Sequence, residues 1–91
     1  SLWPDPKTKW LTEHLGRFQD VHPAILALSF AWLRDGRLAA LVALRPGMAL
    51  PARARAAAAA ELVRRFHGLR RGFDPARRLV IRFARFPYDW R

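Results

Sequence analysis

The chain has 91 residues, with 17 basic against 7 acidic side chains, a net charge of +10 and no cysteine. This length fits one small domain, and the lack of cysteine excludes a disulfide framework and a thiolate metal site. Hydrophobic residues make up 52% and aromatic residues 12% of the sequence, which argues against disorder, and no apolar run approaches the roughly 18 residues of a membrane span. We expect a single cytoplasmic domain over residues 1–91, and a first residue other than Met fits excision from a larger protein.

The strong positive charge makes polyanions candidate partners, because such a field attracts nucleic acid, anionic headgroups and acidic proteins. Only Lys7 and Lys9 are lysine, every other basic residue is arginine, and alanine is very frequent. That composition is also typical of a GC-rich genome, whatever the role of the protein. Charge alone therefore leaves polyanion binding open.

The first predicted element is a helix from about Pro6 to Phe18. Asp5 followed by Pro6 is a favourable start, because Asp caps free first-turn amides and Pro at the first helical position has no amide to lose. The next residues form one mostly apolar stripe at helical spacing, namely Trp10, Leu11, His14, Leu15 and Phe18. We expect His14 to pack beside Trp10.

The central predicted element is a β-hairpin over about residues 25–45. Asp35-Gly36 lies between two apolar runs, and this dipeptide favours a two-residue type I′ turn. Such a turn places Arg34 opposite Arg37 and Leu33 opposite Leu38.

With that register the two faces of the hairpin differ. One face is small and aliphatic and is expected under the helices: Ile25, Ala27, Ser29, Ala31, Leu33, Leu38, Ala40, Val42 and Leu44. The other is expected to be uncovered, with Leu26, Leu28, Phe30, Trp32 and Leu41 in its middle and Arg34, Arg37 and Arg45 at its ends. A one-residue bulge would exchange the faces of one strand.

A second helix is predicted from Ala52 to Gly72, because alanine has the highest helix propensity. Its predicted buried stripe is Ala52, Ala56, Ala59, Leu62, Val63, Phe66 and Leu69. Gly68 or Gly72 supplies a C-terminal cap. Arg53 and Arg55 lie in the first turns, where cations oppose the helix dipole, and this indicates a candidate anion site.

After a turn at Phe73-Asp74-Pro75, the segment from Arg77 to Phe86 is predicted to be a strand. Leu79, Ile81 and Phe83 face the core, and Arg82 and Phe86 continue the Phe30 and Trp32 face. The order α-β-β-α-β predicts an α+β fold, a two-layer sandwich with a three-stranded sheet built on the hairpin and two helices on one face. The crossover helix favours a third strand parallel to the second, and we expect it beside the first.

Two short motifs flank the hairpin. His22-Pro23-Ala24-Ile25 precedes the first strand, and Leu41-Val42-Ala43-Leu44-Arg45-Pro46-Gly47 closes the second; the last strand ends with Phe86-Pro87. Over most of its length the chain thus resembles the C-terminal subdomain of adenylate-forming acyl ligases. The resemblance implies a mobile lid on a larger adenylating domain, with no cofactor bound by this chain alone. In that family a Gly-Lys after the final Pro contacts the adenylate, and the chain ends at Arg91 before any such lysine.

The residues themselves indicate no catalytic centre, and we do not expect an enzyme from this chain alone. His14, His22 and His67 lack metal-ligand spacing. Two site hypotheses remain beside the lid. The open face, formed by Leu26, Leu28, Phe30, Trp32, Leu41 and Phe86, docks on a larger domain, a second copy or another subunit. Alternatively it binds nucleic acid, with bases stacking on Phe30 or Trp32 and phosphates held by Arg34, Arg37, Arg45, Arg78 and Arg82.

Overall fold

The computed structural model describes residues 9–15, 17–67 and 74–85. Their elements are helix α1 (Lys9–Leu15), a 3-10 turn (Phe18–Val21), strands β1 (Ile25–Trp32) and β2 (Leu38–Leu44), helix α2 (Ala52–His67), the single helical turn α3 (Pro75–Arg78) and strand β3 (Leu79–Ala84). Several predictions fall outside these residues: the helix start at Asp5-Pro6, the helix cap at Gly68 or Gly72, and the placements of Leu69 and Phe86.

The predicted α+β architecture is confirmed. β1 and β2 form an antiparallel hairpin, and β3 completes a three-stranded mixed sheet. The ring of Phe66 in α2 meets Phe30 of β1 edge to face, with centroids 5.5 Å apart. Leu11 and Leu15 of α1 belong to the same buried cluster. Both helices therefore cover one face of the sheet.

The turn of the hairpin differs from the predicted two-residue type I′ turn. The amide of Gly36 donates to the carbonyl of Leu33 (3.1 Å) and the amide of Leu33 to the carbonyl of Arg37 (2.8 Å). Only Gly36, with φ of 88°, has positive φ in this loop, so Arg34, Asp35 and Gly36 form a three-residue loop, a type I turn followed by a left-handed glycine. Asp35 stabilises it by accepting from the amide of Arg37 (3.0 Å).

The extra loop residue shifts the pairing by one position and corrects the predicted faces. Trp32 pairs with Leu38 and Phe30 with Ala40, instead of Leu33 with Leu38. A one-residue shift moves every side chain of a strand to the opposite face. Leu28 and Phe30 therefore lie with Ala40 and Val42 under the helices, and the alanines of β1 lie on the other side.

A second irregularity in the pairing lies at the open end of the hairpin. The register shifts between Ile25 and Ala27, so that Ile25 pairs with Leu44. This bulge, with Leu26 as the additional residue, keeps Ile25 in the core with Leu28 despite their odd spacing in the sequence.

The predicted position of the third strand was wrong, although its direction was right. β3 is parallel to β2 and hydrogen-bonded to it, which makes β2 the central strand. The side chains on the helix-covered face suit this strand order, because the small Ala40 lies between Phe30 on β1 and Ile81 on β3. Alternation of large and small side chains across neighbouring strands fills a core without voids.

The start of β3 also differs from the prediction. Asp74 caps the helical turn α3, its Oδ1 accepting from the amide of Ala76 (3.1 Å), so Arg77 and Arg78 are helical and the strand begins at Leu79. Leu79, Ile81 and Phe83 pack against the core as predicted. Arg82 pairs with Leu41 and thus faces away from Phe30.

The buried stripe of α2 is centred on Ala58, Leu62 and Phe66, with Ala54 packed against the cluster. Leu62 and Phe66 were predicted correctly. Ala52 and Ala56 are exposed, so the predicted stripe was rotated in the alanine-rich half. Four-residue spacing defines the real stripe, and a run of identical alanines gives no contrast between buried and exposed positions.

Arg65 ties α2 to the first helical region. Its Nη1 donates to the carbonyl of Leu15 (3.0 Å), its guanidinium lies 5.4 Å from the ring centre of Phe18, and its Nε donates to Glu61 (2.7 Å). Glu61 also receives a two-point contact from Arg64. Hydrogen bonds from Arg64 and then Arg65 lower the pKa of Glu61 from 4.5 to about 2.

This lowered pKa makes stability depend on acidity. Between pH 4.5 and 2 the unfolded chain takes up a proton at Glu61 that the folded chain resists, so the stabilisation is present above pH 4.5 and is lost as the pH falls through 2. We expect Glu61→Gln to melt at a lower temperature than the unsubstituted protein at pH 7, with the difference in melting temperature shrinking towards pH 2. Thermal melts followed by circular dichroism measure it, and a difference independent of pH would contradict the assignment.

Gly36 provides a second stability test, because its φ of 88° is disfavoured for residues with a Cβ. We expect Gly36→Ala to lower the free energy of unfolding by about 1–2 kcal/mol, since a Cβ there meets nothing closer than the Arg78 guanidinium at 3.9 Å and the cost is conformational. Gly36→Asn should lose less, because Asn tolerates left-handed conformations. Urea titrations measure both, and equal losses for the two variants would argue against this turn.

Candidate functional site

The predicted open face does not exist as one surface. Phe30 is 2% and Leu28 8% exposed, and both belong to the core. The shifted register is the physical reason, because it turns these side chains towards the core cluster. Neither residue is available for an interface or for base stacking.

The other members of that predicted face are separated. Trp32 is 38% exposed at the end of β1. Leu41 is half-buried on the opposite face, and Leu26 is half-buried at the bulge. Phe86 lies outside the described residues.

The sheet face opposite the core is lined mostly by small side chains, and we call it the small-residue face. Its residues are Ala27, Ser29, Ala31, Ala39, Leu41, Ala43, Val80, Arg82 and Ala84. The buried side chains of α1 and α2 all belong to the core cluster on the other face. Ala31 and Ala43 are nevertheless buried and lie outside that cluster.

One group of functional candidates gathers where the hairpin turns, and we call it the turn-end cluster: Trp32, Arg34, Arg37 and Arg78. The Nη2 of Arg78 donates to the carbonyl of Gly36 (2.8 Å), and its guanidinium lies 6.0 Å from the ring centre of Trp32. The Nε of Arg37 donates to Asp35 (2.7 Å). The amide and guanidinium of Arg37 together lower the pKa of Asp35, so this carboxylate stays charged.

The opposite end of the hairpin holds the two motifs that flank the strands, and we call it the motif junction. The amide of Ala24 donates to Nδ1 of His22 (3.0 Å), which shapes the turn into β1. Arg45 joins both motifs, since its amide donates to the carbonyl of Ala24 (2.8 Å) and its Nε to the carbonyl of Pro23 (3.2 Å). Gly47, with φ of 73°, completes the turn after β2.

The remaining arginines predicted to contact anions lie elsewhere. Arg55 donates through Nη1 to the carbonyl of Leu50 (3.2 Å), which supports the start of α2. Arg53 is exposed beside it, and Arg82 is exposed on the small-residue face. The predicted set of seven arginines thus divides among the turn-end cluster, the motif junction, the start of α2 and the small-residue face.

Sequence reasoning missed the structural roles of two arginines. Arg65 was not among the predicted candidates, yet it links α2 to Leu15 and Phe18. Arg45 was predicted to contact phosphates, and the structure shows that it holds the motif junction together. Neither long-range contact leaves a signal in the local sequence. The predicted packing of His14 on Trp10 is confirmed, with ring centres 5.8 Å apart and a hydrogen bond to the carbonyl of Trp10 (2.8 Å).

The chemistry available within the described ranges is limited. No group of three or more His, Asp or Glu side chains in those ranges is placed to hold a metal ion. Among the same residues, none of the helices is both long and apolar enough to span a bilayer.

Comparisons with protein-family models, with curated proteins and with solved structures gave no match for the chain.

Proposed function

We propose that the chain is a non-catalytic, lid-like C-terminal subdomain of a protein that resembles the adenylate-forming acyl ligases. The observation that carries this proposal is the motif junction. The two segments that produce the resemblance, His22–Ile25 and Leu41–Gly47, are brought together by the pairing of β1 with β2. Arg45, a residue of the second segment, donates hydrogen bonds to the carbonyls of Pro23 and Ala24 in the first.

The backbone geometry of the motif junction supports the same proposal. Pro23 and Pro46 both lie in turns, and the glycine after Pro46 has positive φ, a conformation that favours glycine. The Pro and Gly of the motif therefore have defined structural roles at the points where the chain enters β1 and leaves β2.

A lid of this kind acts by docking on a larger adenylating domain and carries no catalytic residue of its own in residues 1–91. Leu28 and Phe30 do not take part in docking, because they fill the core. Of the other predicted interface residues, Trp32 is exposed, and Leu26 and Leu41 are half-buried. A cytoplasmic location belongs to the same proposal, and the absence of cysteine agrees with it.

The coding sequence on both sides of this segment tests the proposal directly. We expect an adenylating domain upstream and a Gly-Lys shortly after Arg91. A coding region without an adenylating domain would refute the ligase proposal. It would leave the fold and the turn-end cluster unaffected.

A further inference from the structure

Apart from Trp32, the turn-end cluster has no role in the proposed lid function, which rests on the opposite end of the hairpin. It combines an exposed indole with three arginines. In the observed register Leu28 and Phe30 are in the core, so the predicted open face loses its apolar middle. The exposed groups at the turn end are the indole and the arginines.

The charges at the turn end are unequal. The loop has a single carboxylate, Asp35, against three arginines, namely Arg34, Arg37 and Arg78. Arg37 forms an ion pair with this carboxylate. Arg34 is exposed and makes no hydrogen bond or ion pair with the residues that the structure describes. The loop therefore presents an excess of positive charge, which adds to the net charge of +10 of the whole chain.

Trp32 has defined contacts through its backbone and its ring. Its backbone lies in β1, paired with Leu38, and the Arg78 guanidinium near its ring is held by the Gly36 carbonyl. An indole ordered in this way loses little conformational freedom when a planar group stacks on it. Stacking of a base on an aromatic ring with nearby arginines at the phosphates is the usual mode by which proteins bind single strands.

We propose that the turn-end cluster binds single-stranded nucleic acid, with a base stacked on Trp32 and phosphates contacted by Arg34 and Arg37. Arg78 positions the indole and adds positive charge. An acidic protein segment lacks planar bases and would use the arginines without the ring, so the contribution of Trp32 separates the two classes of partner.

Fluorescence anisotropy of a labelled twelve-residue oligothymidylate, titrated with the protein at about 50 mM salt, tests the proposal. We expect saturable binding that weakens with salt, because counterions are released from the strand. Trp32→Ala should weaken binding roughly tenfold and Trp32→Phe much less, since Phe keeps a stacking face. Absence of binding at this salt concentration would overturn the proposal.

Arg34→Ala and Arg53→Ala form a matched pair, because each removes one exposed arginine that has no described partner. We expect Arg34→Ala to reduce affinity about fivefold and the salt slope by about 0.7, the value for one phosphate contact on a single strand. Arg53→Ala should change affinity less than twofold. Equal losses would show attraction to the net charge alone and would refute a site at the turn.

A competition experiment with polyglutamate of the same number of charges addresses the other class of partner. We expect it to displace the oligonucleotide poorly, and its binding should not depend on Trp32. Equally strong displacement with the same dependence on Trp32 would contradict recognition of nucleic acid. Circular dichroism melts identify any variant whose lost binding reflects unfolding. The comparison of Arg34→Ala with Arg53→Ala then decides whether the turn is the site.

Discussion

Phe30→Ala is expected to lower the free energy of unfolding by about 3–5 kcal/mol. The side chain is 2% exposed and meets the ring of Phe66 in α2 edge to face. Its removal leaves a cavity between sheet and helix and deletes an aromatic pair. For a domain of this size the loss is a large part of the total stability. Urea or thermal unfolding followed by circular dichroism measures it.

Trp32→Ala is the matched control, because Trp32 is a larger aromatic residue two positions along the same strand with 38% exposure. We expect a clearly smaller loss than for Phe30→Ala. If the fold is too weak for the alanine variant, Phe30→Leu gives the same ranking at lower cost. A loss at Trp32 as large as that at Phe30, or larger, would contradict the burial of Phe30 against Phe66.

The second large effect is expected from Ala58→Leu, at about 1–3 kcal/mol of destabilisation. Ala58 is 1% exposed on the side of α2 that belongs to the core. Additional methyl groups there force the helix away from the sheet or push side chains into unfavourable rotamers. Chemical unfolding curves measure the change.

Ala56→Leu controls for helix propensity, because Ala56 is exposed on the same helix and Leu is nearly as good a helix former as Ala. We expect a change within about 0.5 kcal/mol. The reverse ranking, with a large loss at Ala56, would support the rotated stripe that the alanine-rich sequence suggested.

The sequence was most informative where residue types contrast. The hairpin, the long helix, the inward side of Leu79, Ile81 and Phe83, and the α+β class could all be predicted, because apolar periodicity and turn residues mark them. These signals are local and depend on large differences between neighbouring side chains.

Predictions were wrong where the sequence offered little contrast or where one residue changed the register. Asp35-Gly36 fits both a two-residue type I′ turn and a three-residue loop with Gly36 left-handed. Both strands are apolar on both faces, so patterning could not choose between the two registers. The choice depends on long-range packing, because only the observed register places Phe30 against Phe66 and Ala40 between Phe30 and Ile81.

The outcome for the candidate site residues also depended on long-range packing. Trp32 and Arg34, two of the predicted site residues, are exposed, while Phe30, predicted on the same face, belongs to the core. Arg45 was selected as an anion contact and instead joins the two flanking motifs. The structure thus separates two ends of one hairpin. A motif junction supports the lid proposal, and an aromatic and cationic turn supports the nucleic-acid proposal.

The lid proposal is tested most directly with the parent protein, assayed with and without residues 1–91. The assay measures ATP-dependent pyrophosphate release with a panel of carboxylic acids and hydroxylamine as acceptor. We predict that the parent protein releases pyrophosphate in the presence of a carboxylic acid, and that it no longer completes repeated turnovers when the segment is removed. No release from the parent with any acid, or unchanged turnover without the segment, would contradict the proposal.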